Sequence, residues 1–145
     1  MSQARSNARK NVVQALYQWQ MTGTSVIEIE RQFSESDRLK NVQRSYFSEL
    51  LRGVPKELAA IDDVLKMFVD RPVEKIDPVE RAILRMSIFE LLHRLDIPYR
   101  VILNEAVSLS KIYGAQDGYK YINGVLDKIA HRCRADEVAM AKVKS

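Results

Sequence analysis

Cysteine is nearly absent. Cys133 is the only one in 145 residues, so no intrachain disulfide can form and a reducing, cytoplasmic setting is expected. Five glycines and four prolines are too few for a collagen-like, linker-like or turn-dense all-β chain. No apolar run approaches the ~18 residues that span a bilayer, so no membrane partner is expected. The opening MSQARSNARK lacks the apolar stretch of a secretory signal. Histidine is limited to His93 and His131. HExxH, CxxC, phosphate-loop and nucleophile-elbow patterns are all missing. Catalytic residues, bound metal and cofactor are therefore not expected.

What remains is a chain that is 46% hydrophobic and 29% charged, which suits one compact domain. Its net charge of +4 is unevenly spread. Residues 1–10 and 128–145 each sum to +3, and the body between them to −2. Basic ends either contact nucleic acid or stay solvated.

The apolar spacing is helical almost throughout. Val12, Leu16 and Trp19 predict a helix over about 5–21, ending before Gly23. Ser25 with Glu28 reads as a capping box for a short helix with Val26, Ile29 and Phe33 inward. Asp37 is expected to cap a third helix, ended by Gly53 in a left-handed conformation. Pro55 would open a fourth, with Leu58, Ile61, Leu65 and Phe68 as its stripe. Asp77-Pro78-Val79-Glu80 combines an N-cap acid, a proline at the first turn and an acid at the third position. The helix it opens is apolar on most sides to Leu95 and so is expected at the centre. Two further helices follow Pro98 and the polar loop 115–118. The expected fold is all-α: about seven helices in one domain over 1–134. A first bundle would cover about 5–71 and a second about 77–133, with 135–145 frayed.

Few residues look chemically poised. His93 is either a packed boundary residue or a phosphoacceptor on a helical bundle. Arg132 and Arg134 could lower the pKa of Cys133, although a structural thiol fits as well. Binding signals are stronger. Arg5 and Arg9 are one helical turn apart and, with Lys10, could grip successive phosphates. Gln116-Asp117-Gly118-Tyr119-Lys120-Tyr121 places an acid, a cation and two rings at a helix start, a mixture suited to single-stranded RNA. Equally, Tyr119 or Tyr121 could pack inward while Asp117 caps the helix. Glu74, Asp77 and Glu80 form an acidic rim that could dock a basic protein.

Several segments, taken in order, resemble the NusB family of bacterial antitermination factors. They are Ala8-Arg9-Lys10 with Val13-Gln14-Ala15-Leu16-Tyr17-Gln18-Trp19, then Val79-Glu80-Arg81-Ala82-Ile83-Leu84-Arg85, then Ile97-Pro98-Tyr99 with Asn104-Glu105-Ala106. Tyr113-Gly114-Ala115-Gln116-Asp117 and Tyr121-Ile122-Asn123-Gly124-Val125-Leu126-Asp127 complete the set. The resemblance implies an adaptor without catalysis. Such an adaptor binds single-stranded boxA RNA of ribosomal RNA leaders together with the ribosomal protein called NusE. It then joins NusA, NusG and RNA polymerase. A homodimer also occurs in the family.

Carried over residue by residue, the implied RNA contacts are Arg9, Lys10, Asp117, Lys120 and Tyr121; Arg5 and Gln116 join the candidate RNA set from the charge and loop pattern alone. The implied partner contacts are Tyr17, Glu74 and Glu80. Ser6 and Asn7 stand where arginines are common in the family, which implies fewer phosphate contacts and a weaker salt dependence. Related domains precede the catalytic part of some ribosomal RNA methyltransferases. No glycine-rich nucleotide motif is present here, so that activity is not expected. The segments of the RNA set are expected to share one groove.

Overall fold

The computed structural model describes residues 2–144, the last without its side chain. Ser145 and the side chain of Lys144, part of the basic tail, lie outside the described residues. Eight α-helices account for most of the chain, and no strand occurs among the described residues. They are α1 (Gln3–Thr22), α2 (Val26–Glu35), α3 (Arg44–Lys56), α4 (Leu58–Leu65), α5 (Pro78–His93), α6 (Tyr99–Tyr113), α7 (Gly118–Cys133) and α8 (Ala135–Lys144).

The N-terminal helices form where capping chemistry puts them. The Ser25 hydroxyl accepts from the Glu28 N–H, and Gly23, at φ 70°, closes α1 in the left-handed region. Asp77 accepts from the Val79 and Glu80 N–H groups at the start of α5. From Ala82 to Leu91, all but Arg85 are buried, as the apolar pattern on most sides predicted. Helix α5 is the common floor on which α1, α3, α4, α6 and α7 all pack.

Several boundaries differ from the sequence expectation. Asp37 opens only a short 3₁₀ turn, Asp37–Leu39. The chain then turns through Asn41 at φ 61°, and α3 starts at Arg44. Gly53 does not end α3. It lies within the helix because a Cβ there would collide with the Phe89 ring of α5. Pro55 sits in the last turn of α3, whose end shares Glu57 as a cap with α4. Its missing N–H removes one i→i−4 bond from that turn, and the ladder resumes at once with the Glu57 N–H donating to the Gly53 carbonyl at 2.9 Å. Leu95 is exposed because α5 stops at His93.

The expected frayed tail is helical from Ala135 to Lys144. Its anchor is Arg134, only 5% exposed, which donates to the carbonyls of Glu90, Leu91, Arg94 and Ile97. These carbonyls belong to the end of α5 and the turn after it; those of Glu90 and Arg94 also accept from the Arg94 and Ile97 N–H groups, while a helix end leaves others open. Glu137 pairs with Arg134 at 2.6 Å and accepts from the Tyr99 N–H at 2.7 Å. Val138 completes the seal.

Candidate nucleic-acid interface

Between α6 and α7 the chain makes a tight, exposed turn. Gly114 is required there, since a Cβ would fall 2.7 Å from the Ser110 carbonyl oxygen. Asp117 adopts φ 63°, a left-handed conformation that short polar residues tolerate. The Gly118 N–H donates to the Ala115 carbonyl at 3.0 Å, and the Lys120 N–H to the Asp117 carbonyl at 3.1 Å. Asp117 occupies the cap position of α7 without a side-chain capping bond. Its carboxylate instead stands 3.8 Å from the Lys120 ammonium, both side chains about two-thirds exposed. Capping therefore does not explain Asp117, and Gln116, Asp117 and Lys120 are all presented to solvent.

The two tyrosines of the turn divide the roles that the sequence left open. Tyr119 has two ammonium groups near its ring, Lys111 at 4.7 Å and Lys120 at 5.9 Å from the ring centre. Tyr121 is half-buried, with the Arg71 guanidinium 4.9 Å from its ring centre. Its hydroxyl is buried without a hydrogen-bond partner. Burial raises the phenol pKa, opposed by Arg71 and reinforced by Asp70 and Glu80. Lys111 was not singled out from the sequence; its place in the last turn of α6 is the only local signal for it.

Arg9 leaves the RNA set. It is fully buried. Its Nε and Nη2 donate to Glu90 at 3.0 and 2.7 Å, and its Nη1 lies 3.3 Å from Glu105. The Tyr46 hydroxyl donates to the same Glu90 carboxylate. Burial alone would lower the Arg9 pKa, but the hydrogen bonds and charge of Glu90, with Tyr46 and Glu105, raise it on balance. Burial, with the Glu90 charge, pushes the Tyr46 phenol well up. A buried guanidinium needs such bidentate partners, and at 0% exposure it is out of reach of a phosphate.

Glu80 likewise leaves the partner set: it is 8% exposed and sits against Gly118, where a Cβ would collide with its carboxylate. Burial, then the Asp77 charge, raises its pKa against the pull of Arg71. Tyr17, 41% exposed, borders an open cavity of about 370 Å³ with Val13, Gln14, Val79 and Tyr113. Glu74 is exposed on a separate cavity beside Trp19.

The expected single groove is only partly formed. Gln14 donates to the Tyr113 hydroxyl at 3.2 Å, which sets the middle of α1 beside the end of α6 that leads into the turn. Lys10 lies one helical turn before Gln14. Arg5, however, borders a cavity with Pro98 and Val101 at the other end of α6. Val101 and Tyr113 are ~18 Å apart along the axis at 1.5 Å per residue. Arg5 also stands over the Tyr46 ring at 4.7 Å.

His93, the phosphoacceptor candidate, is exposed with its ring 4.7 Å from that of Phe89. The Cys133 thiol is pushed up by burial, which outweighs Arg132 and Arg134, so it is not an activated thiolate. No group of three metal-ligating side chains occurs among the described residues. Nor is any helix among them long and apolar enough to cross a membrane.

Residues 6–131 match the model of the NusB family. A transcription antitermination protein NusB from Nitrosococcus oceani is 50% identical over 137 residues, 94% of this chain and 92% of that one. The solved T. maritima NusB is similar at a TM-score of 0.78 and 28% identity, covering 90% of this chain and 92% of its own. A solved complex of antitermination factors NusB and NusE with double-stranded RNA contains a chain similar at a TM-score of 0.81 and 25% identity. That match covers 89% of this chain and 97% of the other.

Proposed function

The chain belongs to the NusB family, and we propose that it works as a cytoplasmic transcription antitermination adaptor. It binds boxA RNA of ribosomal RNA leaders as a single strand, together with NusE, and so joins NusA, NusG and RNA polymerase. It acts by binding and has no catalytic step. The observation that carries this reading is the turn after α6. It presents an exposed acid and an exposed amine, 3.8 Å apart, beside a half-buried ring with two lysine ammonium groups within 6 Å of its centre.

Each group has a separate task. Lys120 and Lys111 meet phosphates, Gln116 and Asp117 meet base edges, and the Tyr119 and Tyr121 rings border the bases. Lys10 extends the phosphate contacts along α1, while Arg5 adds one only for a strand that reaches the far end of α6. Tyr17 and Glu74 face NusE, leaving the RNA turn uncovered.

The test is a fluorescence-anisotropy titration of boxA RNA with the chain and NusE at several salt concentrations. A ternary complex at micromolar protein is expected. Lys120→Ala should reduce the slope of log affinity against log salt by about 0.7, the share of one single-strand phosphate contact. Absence of any complex at low salt would contradict the proposal.

A further inference from the structure

A second polar cleft, of about 300 Å³, opens where α6, α7 and α8 meet. Arg100 and Asn104 line it from α6, Asn123, Asp127 and His131 from α7, and Lys142 from α8. Tyr99 and Leu103 form a floor that is 6% and 7% exposed. Asn104 and Asn123 are exposed, and neither side-chain amide has a partner among the described residues. Arg100 makes no ion pair among the described residues and lies 5.6 Å from the Tyr99 ring centre. Asp127 stands 3.7 Å from the His131 ring nitrogen, which also contacts the Asp127 carbonyl oxygen.

The cleft continues from the turn described above. On α7, Lys120, Asn123, Asp127 and His131 follow one another at steps of three and four and so share a face. The eleven residue steps from Lys120 to His131 extend ~16 Å at 1.5 Å each. Cations stand at both ends, Lys111 and Lys120 by the turn and Arg100 and Lys142 by α8, with the two free amides between them. Against these stand the carboxylates Asp117 and Asp127.

A protein partner would need an apolar anchor to fill, and the only apolar lining is the nearly covered floor. Carboxamides, which donate and accept at once, match the edges of unstacked bases, and flanking cations match their phosphates.

We propose that this cleft is a second RNA subsite, in which Asn104 and Asn123 contact base edges and Arg100 and Lys142 hold phosphates of a strand leaving the Asp117 turn. The inference rests on the RNA-binding reading and extends it to a face that reading leaves unused. Asn123 suits a test by charge reversal. It is exposed on a helix, and lysine and glutamate are both better helix formers than asparagine, so both variants fold.

Single-stranded RNA covering boxA and its 3′ and 5′ flanks is titrated with the full chain and with Asn123→Glu, Asn123→Lys, Arg100→Ala and Lys120→Ala. Asn123→Glu should weaken binding roughly fivefold or more and Asn123→Lys should tighten it, with Arg100→Ala weaker by roughly threefold. If Lys120→Ala weakens binding while both Asn123 variants equal the wild type, the cleft carries no RNA and the inference falls alone. If the wild type binds no RNA, the inference falls with the reading beneath it.

Discussion

Arg9 and Lys120 both looked like phosphate ligands, and the fold treats them in opposite ways. Arg9 is turned into α5 and α6, where Glu90 and Glu105 absorb its charge. Lys120 stands in solvent beside a single exposed carboxylate. Arg134, from the other basic end of the chain, repeats the Arg9 pattern by saturating the carbonyls at the end of α5. Charge counted along a sequence therefore overstates what is offered to RNA. A cation buried in the fold and neutralised there by acids is a structural part.

The largest effect that can break this contrast is Arg9→Ala. It leaves Glu90 buried without its cation, and loss of one member of a buried pair costs about 3–5 kcal/mol. Urea unfolding should show that loss, while the RNA affinity of the folded variant should stay near wild type. A marked drop in affinity without destabilisation would return Arg9 to the RNA set. Arg134→Ala comes next, with a cost of about 2–3 kcal/mol for a charged donor that serves several buried acceptors. Hydrogen exchange should show protection lost across α8 before the other helices.

Tyr121 tests the exposed side of the contrast. Tyr121→Ala should weaken RNA binding by about 1–3 kcal/mol, the range for an aromatic–base contact, as read by RNA titration. Tyr121→Phe removes only a hydroxyl that has no partner and should leave affinity unchanged. A loss of stability with unchanged affinity in Tyr121→Ala would make the ring a core element.

The smallest effect is the pH dependence from Glu80, whose folded pKa is raised by burial and then by Asp77. The folded chain holds this proton more tightly than the unfolded chain. The stability it contributes is therefore complete below the ordinary glutamate value and is lost as pH rises through the raised one. Glu80→Gln keeps the neutral form. Its stability should match wild type below about pH 4 and exceed it at neutral pH, measured by urea unfolding at each pH. No change in that difference with pH would refute the assignment.

Much of the architecture was legible because local signals acted alone. Ser25, Asp77 and Gly23 cap helices by short-range geometry, and the mostly apolar run in α5 marks the centre without reference to any other segment. The misread positions are those settled by a distant neighbour. Gly53 answers to Phe89 and not to a helix end, and α8 holds because Arg134 finds carbonyls of α5. Arg9 pairs with acids 81 and 96 residues away in sequence. The candidate site follows the same rule. Gln116, Asp117 and Lys120 were legible because a polar turn between two apolar helices has to lie outside. The burial of Glu80 was not legible because it depends on the close approach of Gly118 across the α5–α7 contact. Arg5 kept a partly exposed cation but was placed at the wrong end of α6, a distance that no local pattern encodes.

The most direct measurement is an amide NMR titration of the full chain with boxA RNA. The largest shifts and line broadening should fall on residues 115–121, with Arg9 and its neighbours in α1 little changed. A chain that binds this RNA with residues 115–121 undisturbed and the shifts centred on Arg9 would contradict the division of labour between buried and exposed cations.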